Sequence, residues 1–473
     1  MINAQASLER VHTNPASNGR IRERIAVTTE AARRAGSYLA NAPFRSVAPT
    51  ADAIAGLDVF RRPLQDAPIP AREVLAELDA FGSPATVVTS HGRYFGFVVG
   101  GTDPAAHAAS ILASTWDQNV GSFTMSPTAT TLDEVAGRWI VDLLGLPDGA
   151  VAAFTSGATV SNLTGVLAAR DALYDRLGWD VDTNGLAGAP ALRVIVGDEV
   201  HISAVKALRL AGFGTAQIER VPTDATGAII ADAFPTDTDD RTLVLLQAGN
   251  VNTGASDPFA QIIPGVRERG GWVHVDGAFG LWAAASPARR HLVEGVELAD
   301  SWATDAHKWL NVPYDSGIVV MRDPAQLKRS MAGTAAYLRG DADSPMYRGI
   351  QMSQRARGVE TWAMLASAGR QGVARIVDAT SDHAAAFAQL LVDGGAELLA
   401  PVVLNQALIA FGDDAATDAV IAGVQAEGTM WAGGTVWHGR HAMRISVSDA
   451  ATTADDVAAS ASAVLRVWAS LPA

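Results

Sequence analysis

Two stretches decide how this chain is read: Trp272-Val273-His274-Val275-Asp276, an apolar run closed by a carboxylate, and Asp305-Ala306-His307-Lys308-Trp309, whose lysine comes 32 positions after Asp276. The first has the length and β-branched content of a buried strand, and Lys308 follows a second such run, Ser301 to Thr304. Parallel sheets bind ligands beyond the carboxyl ends of their strands, which is where both Asp276 and Lys308 fall. A lysine able to form an imine with a carbonyl cofactor, and a carboxylate that keeps a pyridine nitrogen protonated, are the minimum needed to make that ring an electron sink. The two stretches therefore predict a pyridoxal 5'-phosphate site with Lys308 and Asp276 as its catalytic pair.

Working outward, the runs Val151 to Phe154, Arg193 to Val196, Thr242 to Gln247 and Ile318 to Met321 alternate with helical segments. That alternation indicates an α/β domain with a mainly parallel sheet. Thr155-Ser156-Gly157-Ala158-Thr159-Val160-Ser161-Asn162 lies between the first run and the apolar helical segment Leu163 to Arg170. Small residues there let backbone amides approach an anion at a helix amino terminus, so a phosphate fits, although a plain capped turn would have the same look. His201 follows the second run and begins a helical stretch, from which an imidazole could lie flat on a pyridine ring.

Residues 1–85 read as a helical arm, with Ile21, Ile25, Ala32 and Leu39 in one amphipathic stretch and Val74, Leu75 and Leu78 in another introduced by Pro70. Residues 86–350 form the large cofactor domain. Residues 351–473 hold a long helical stretch (Val359 to Leu391), the runs Leu404 to Phe411 and Ala442 to Val447, and a closing helix begun by Thr453-Ala454-Asp455-Asp456. These predict a small α+β domain.

The chain has 473 residues, 48% hydrophobic, enough for two or three domains. A formal charge of −14 argues against nucleic acid and anionic membrane as main partners. No stretch approaches the roughly 18 uninterrupted apolar residues of a membrane span. Met1 to Arg10 lacks the apolar core of a secretory signal. The absence of cysteine excludes disulfides, thiolate metal sites and cysteine nucleophiles; no metal is expected, and the cytoplasm is the expected location.

Thr155 to Arg170, Glu199 to Ala211, Gly271 to Ala278 and Asp300 to Gly317 together resemble the group II pyridoxal phosphate-dependent amino acid decarboxylases, which include aromatic L-amino acid, histidine, glutamate and cysteine sulfinate decarboxylases. The resemblance runs from about Arg93 to Trp362 and more loosely beyond. It implies a fold-type I, aspartate aminotransferase-like architecture with a seven-stranded sheet, and α-decarboxylation of an L-amino acid to an amine and carbon dioxide. Position by position it gives Lys308 as the imine lysine, Asp276 as the partner of the pyridine nitrogen, Ala278 against the ring and His201 stacked on it. Gly157, Ala158 and Thr159 match the phosphate loop, with His307 near the phosphate, while Tyr94 and Phe95 match a substrate-side loop. Asn119 to Phe123 matches a segment that reaches the neighbouring subunit's pocket and so implies a homodimer. Ser353 to Arg357 resembles the start of the helix after the family's mobile loop.

Three departures qualify the resemblance. Asn250 and Val251 stand where members often carry two threonines. Asn119 and Gly121 replace the apolar or aromatic residues of the aromatic decarboxylases, which leaves the amino acid open. The loop tyrosine that reprotonates Cα is out of register: Tyr347 is the better match and Tyr337 the alternative. Its loss would favour an oxygen-consuming, aldehyde-forming outcome; transamination, aldol chemistry and a catalytically silent homologue are the remaining alternatives.

Overall fold

The computed structural model describes residues 15–333 and 344–472. The chain divides into two units, Met1–His91 and Gly92–Ala473. In the first, α1 (Pro15–Asn41) and α2 (Ala71–Glu77) are the main helices, and Pro70 occupies the cap position ahead of α2. Ion pairs Arg34–Asp79 and Arg62–Glu77 tie its segments together. Of its described side chains only Ala42, Val47, Val88 and His91 are buried, whereas Ile21, Ile25, Leu39, Ile54, Phe60, Val74 and Leu78 are exposed.

The second unit is built on β1 (Val151–Thr155), β2 (Arg193–Gly197), β3 (Ile218–Val221), β4 (Thr242–Gln247), β5 (Trp272–Asp276), β6 (Ser301–Asp305) and β7 (Gly317–Met321), in the order β1-β7-β6-β5-β4-β2-β3. Only β7 runs against its neighbours, β1 and β6; the other pairings are parallel. Side chains alternate between two covered faces. Val194, Val196, Leu243, Leu245, Val319 and Met321 join one core with α5 (Ala158–Arg176) and α6 (Ile202–Leu210). Ile195, Val244, Leu246, Val273, Val275 and Ile318 join a second, larger one, together with residues of α4 (Pro127–Leu143) and α7 (Phe259–Glu268). Burial on both faces is what a mainly parallel sheet requires, and it confirms the α/β expectation.

The remaining strands, β8 (Glu397–Leu398), β9 (Gln406–Ala410), β10 (Gly433–Trp437) and β11 (Arg440–Ser446), form an antiparallel sheet in the order β10-β11-β9-β8. Its core takes in Ala384, Phe387 and Leu391 of α9 (Arg357–Asp393), Val420 and Val424 of α10 (Asp414–Glu427), and Val457 and Val464 of α11 (Ala454–Ala469). Gly369, at φ 59°, interrupts α9. The closing helix α11 starts in a capping box of Thr453 and Asp456, as the sequence predicts. Strand β3 was not expected from the sequence. Its Ile218-Glu219-Arg220-Val221 lies at the sheet edge with Glu219 ion-paired to Arg193, so charged residues are tolerated there.

Candidate active site

The carboxyl ends of β1, β2, β4, β5 and β6 place Thr155, Gly197, Gln247, Asp276 and Asp305 along one edge of the large sheet. After β1 the chain turns into α5 through Gly157. The Oγ of Thr155 and Ser161 are 2.7 Å apart, and the Gly157 carbonyl accepts the Val160 and Ser161 N–H groups at 2.9 Å. A Cβ at Gly157 would meet His307 Cε1 at 3.2 Å, and one at Gly317 would come within 2.4 Å of the Gly157 Cα, so the loop, β7 and His307 are pressed together. The first N–H groups of α5 have no partner within the helix, which is the electropositive end suited to a phosphate. One of them, Ala158 N–H, donates to Asp305 Oδ1 at 2.6 Å.

Asp276 closes β5, buried. Its Oδ2 accepts from Asn162 Nδ2 at 2.9 Å and its Oδ1 from the Ala278 N–H at 3.2 Å. Ala278 in turn receives the Asp305 N–H on its carbonyl, so the small residue is held between the two acidic strand ends. Lys308 Nζ stands 3.2 Å from Asp305 Oδ2. His307 accepts the Ser316 N–H on Nδ1 at 3.1 Å, keeps Nε2 3.7 Å from Asp305 Oδ2, and stacks on Tyr314 at 4.2 Å. Burial pulls its pKa below the usual range.

His201 caps α6: its Nδ1 accepts the Ser203 N–H and lies 2.7 Å from Ser203 Oγ, while its own N–H donates to Gln247 Oε1 at 3.2 Å. Burial lowers its pKa, the charges of Lys308 and Arg444 push the same way, and Asp276 opposes them. The imidazole therefore feels the charges of both Lys308 and Asp276 and is held in the neutral form favoured by burial. Arg444, on β11, is partly buried with its pKa pulled down by desolvation, and among the described residues no carboxylate pairs with it.

Tyr94 stacks on Trp431 at 5.2 Å, with Phe97 on the same indole at 5.3 Å, and burial pushes the Tyr94 hydroxyl up to about 12. Phe95 departs from expectation. It is fully buried in the core of the small sheet, edge-on to Phe387 at 5.2 Å, because its N–H bonds the Trp431 carbonyl and successive side chains of an extended chain point opposite ways.

Asn119 is zipped to the segment carrying Tyr347. Asn119 Oδ1 accepts the Gln354 N–H at 3.1 Å, Val120 N–H donates to the Gln354 carbonyl, and Met346 N–H to that of Gly121. Tyr347 lies in the turn Pro345–Tyr347. Among the described residues no hydrogen bond joins Asn119 or Tyr347 to Lys308, Asp276 or His201 of the same chain. Tyr337 lies outside the described residues. Asn250 spends its Oδ1 on the Asn252 and Thr253 N–H groups of its own turn. Asn162, Asp305 and Arg444 are the site residues to which sequence reasoning assigned no role; the first two stand inside the stretches that define the site, and nothing in the sequence marks Arg444. No group of three or more metal-ligating side chains occurs among the described residues, and none of their helices is long and apolar enough to cross a membrane.

The residues fit the cofactor. A helix amino terminus without room for a side chain faces a lysine and a carboxylate across the edge of a mainly parallel sheet, which defines a fold-type I pyridoxal phosphate enzyme. Residues 64–411 match the model of the pyridoxal-dependent decarboxylase conserved domain, and the chain belongs to that family, whose members are carboxy-lyases that use pyridoxal 5'-phosphate. It is 30% identical over 368 residues to tryptophan decarboxylase 1 of Oryza sativa subsp. japonica, covering 71% of this chain and 70% of that protein. To the aromatic-L-amino-acid decarboxylase of Bacillus atrophaeus it is 29% identical over 286 residues, 58% of this chain and 57% of the relative, so the alignment spans little more than half of that protein. The solved structure of Oryza sativa TDC with PLP and tryptamine superposes with a TM-score of 0.87 at 22% identity, over 97% of this chain and 99% of the other, and shares its fold.

Proposed function

We propose that this protein removes the α-carboxyl group of an L-amino acid as carbon dioxide and returns the amine, acting as a homodimer in the cytoplasm. The observation that carries the reading is the convergence of Lys308, Asp276, His201 and the amino terminus of α5 on one sheet edge. Bound pyridoxal phosphate supplies the electron sink that the side chains lack. Lys308 would hold its carbonyl carbon. Gly157, Ala158, Thr159 and His307 would hold its phosphate, Asp276 its ring nitrogen, and Ala278 and His201 the two faces of its ring.

Asp276 does the electrostatic work. Held by the Asn162 amide and the Ala278 N–H, its carboxylate would stabilise positive charge on the cofactor's ring nitrogen, the charge that makes the ring an electron sink. His201, neutral and with Nδ1 accepting the Ser203 N–H, can sit against the ring face without the cost of burying a charge and donate one hydrogen bond from Nε2 to the substrate. Arg444 brings a cation without a carboxylate partner near His201, and an anionic group of the incoming amino acid would satisfy it. Tyr94 offers the substrate side a hydroxyl that stays protonated. Tyr347 donates the proton that replaces carbon dioxide at Cα. The segment from Asn119 to Gly121 is bonded to Gln354 and to Met346, the neighbour of Tyr347, and in this reading Asn119 and Tyr347 serve the partner subunit's site, with the exposed apolar side chains of residues 15–91 as the packing surface of that dimer. In this organisation residues 1–85 are the arm, 86–350 the cofactor domain and 351–473 the small domain.

The test is incubation of the purified holoenzyme with each common L-amino acid, measuring carbon dioxide, amine and ammonia. Equal carbon dioxide and amine without ammonia from one substrate is the expected result. Aldehyde and ammonia would mark the oxygen-consuming outcome, and carbon dioxide from none would overturn the reading. Borohydride should fix the cofactor to Lys308, read by peptide mapping; attachment to any other lysine would refute the site.

A further inference from the structure

A buried line of hydrogen bonds runs from Asp276 into the sheet face that packs on α5. Trp272 Nε1 lies 3.1 Å from Ser301 Oγ, and Ser301 Oγ 2.8 Å from His274 Nδ1. His274 Nε2 lies 2.9 Å from Asn162 Oδ1, and Asn162 Nδ2 2.9 Å from Asp276 Oδ2. Asn162, His274 and Ser301 are wholly shielded from solvent.

Both ends of this line have fixed polarity. An indole N–H only donates, and both Asp276 oxygens accept, Oδ1 from the Ala278 N–H and Oδ2 from Asn162 Nδ2. Ser301 Oγ accepts the indole N–H, and because Asn162 gives its Nδ2 to Asp276 its Oδ1 must receive the His274 Nε2–H, which leaves Nδ1 of the neutral ring to accept the Ser301 O–H. His274 is neutral, since burial pulls it down to about 4, and with Nδ1 accepting it carries its proton on Nε2. That proton goes to Asn162 Oδ1, which turns the Asn162 amide N–H toward Asp276. Every link points one way, and linked donors polarise one another toward the carboxylate.

Core filling alone does not account for these residues. The neighbouring side chains on this face, Val194, Val196, Leu243 and Leu245, are aliphatic, and an aliphatic residue at 274 would fill the same layer. The imidazole instead demands a concession from α5: a Cβ at Gly165 would stand 2.5 Å from His274 Cε1 and 2.7 Å from Nδ1. A glycine in a helix interior costs about 0.5–1 kcal/mol relative to alanine. His274 and Ser301 are also register partners on β5 and β6, so the line spans two strands and one helix that all end at the site.

We infer that Trp272, Ser301, His274 and Asn162 form a positioning array that orients the Asp276 carboxylate toward the cofactor's ring nitrogen. The inference rests on the reading that Asp276 faces that nitrogen. None of the four touches substrate; they act through Asp276. With His274 apolar, Asn162 Oδ1 loses its donor, the amide is no longer anchored or polarised from behind, and its bond to the Asp276 carboxylate weakens.

The test titrates cofactor-free parent, His274→Phe, His274→Gln and Ser301→Ala proteins with pyridoxal phosphate, following cofactor absorbance, with circular dichroism to establish that each is folded. Phenylalanine keeps the ring shape without the polarity; glutamine keeps a donor toward Asn162 and an acceptor toward Ser301. His274→Phe should weaken cofactor binding about tenfold or more while His274→Gln stays within about threefold of the parent. A folded His274→Phe that binds as tightly as the parent, or a His274→Gln as weak as His274→Phe, would overturn the array. Ser301→Ala removes one oxygen and decides the matter if His274→Phe does not fold. A loss of about threefold or more supports the array, and parent-like binding refutes it. If the parent itself fails to bind the cofactor, the cofactor reading falls, and this is visible before any variant is compared.

Discussion

The Asp305 carboxylate stands 3.2 Å from the Lys308 ammonium through Oδ2 while its Oδ1 takes the Ala158 N–H at 2.6 Å, so one acidic side chain spans from the lysine to the helix end proposed for the phosphate. A carboxylate beside a phosphate dianion is repelled by it.

Asp305→Asn keeps an oxygen for the Ala158 N–H and removes that charge. Pyridoxal phosphate should then bind about tenfold tighter and leave more slowly on dialysis, a change of ~1.4 kcal/mol. Weaker binding in this variant would show that holding Lys308 matters more than relieving the repulsion.

Asp276→Asn preserves the shape and the Ala278 N–H bond but not the negative charge. Turnover should fall about 10²-fold or more while circular dichroism stays that of the parent. Near-parent turnover would contradict the electron-sink role.

Tyr347→Phe should release carbon dioxide at close to the parent rate, because bond breaking depends on alignment and the ring rather than on this hydroxyl. Product should move from amine toward aldehyde and ammonia, with uptake of oxygen measured by electrode. If Tyr337→Phe alone produced that shift, the proton donor would be the earlier tyrosine.

Two buried acids make stability fall as pH rises from the acid range toward neutrality. Burial pushes Asp133 up to about 7 against the lowering effect of the Gly358 N–H, Arg348 and Arg357, and Asp257 up to about 6. Between the unfolded value near 3.8 and these folded values the native protein binds more protons than the unfolded chain, so stability falls as pH rises through that window. Asp133→Asn retains an acceptor for the Gly358 N–H without the ionisable group. It should be more stable than the parent at pH 8, by on the order of 1–2 kcal/mol and with a higher unfolding temperature, and calorimetry should show the difference shrinking as pH falls toward the unfolded value of 3.8.

Much of this was legible from local pattern. Strand runs ending in Asp276 and preceding Lys308, the glycine at the start of α5 and the capping box of α11 depend on neighbours within a few residues, where side-chain period and turn chemistry act directly. Asn162 and Asp305 sat inside the quoted stretches, yet their roles were invisible there. Each acts on a partner more than a hundred positions away, Asp276 and Ala158 respectively. Strand β3 escaped because edge strands tolerate charge, and Phe95 was misjudged because only its bond to Trp431 sets which of Tyr94 and Phe95 turns into the core.

The sequence by itself determined the class of fold and the cofactor, and it set Asp276 and Lys308, the pair proposed for the site, at or just beyond the ends of β5 and β6, since those follow from residue type and strand-length spacing. Only the tertiary structure decided how Asp276 is held. The line from Trp272 to Asn162 exists because β5 pairs with β6 in the register that sets His274 beside Ser301, and because α5 crosses that face with a glycine opposite the imidazole. Register and helix crossing are settled by packing over the whole sheet, and no local window of sequence contains that information.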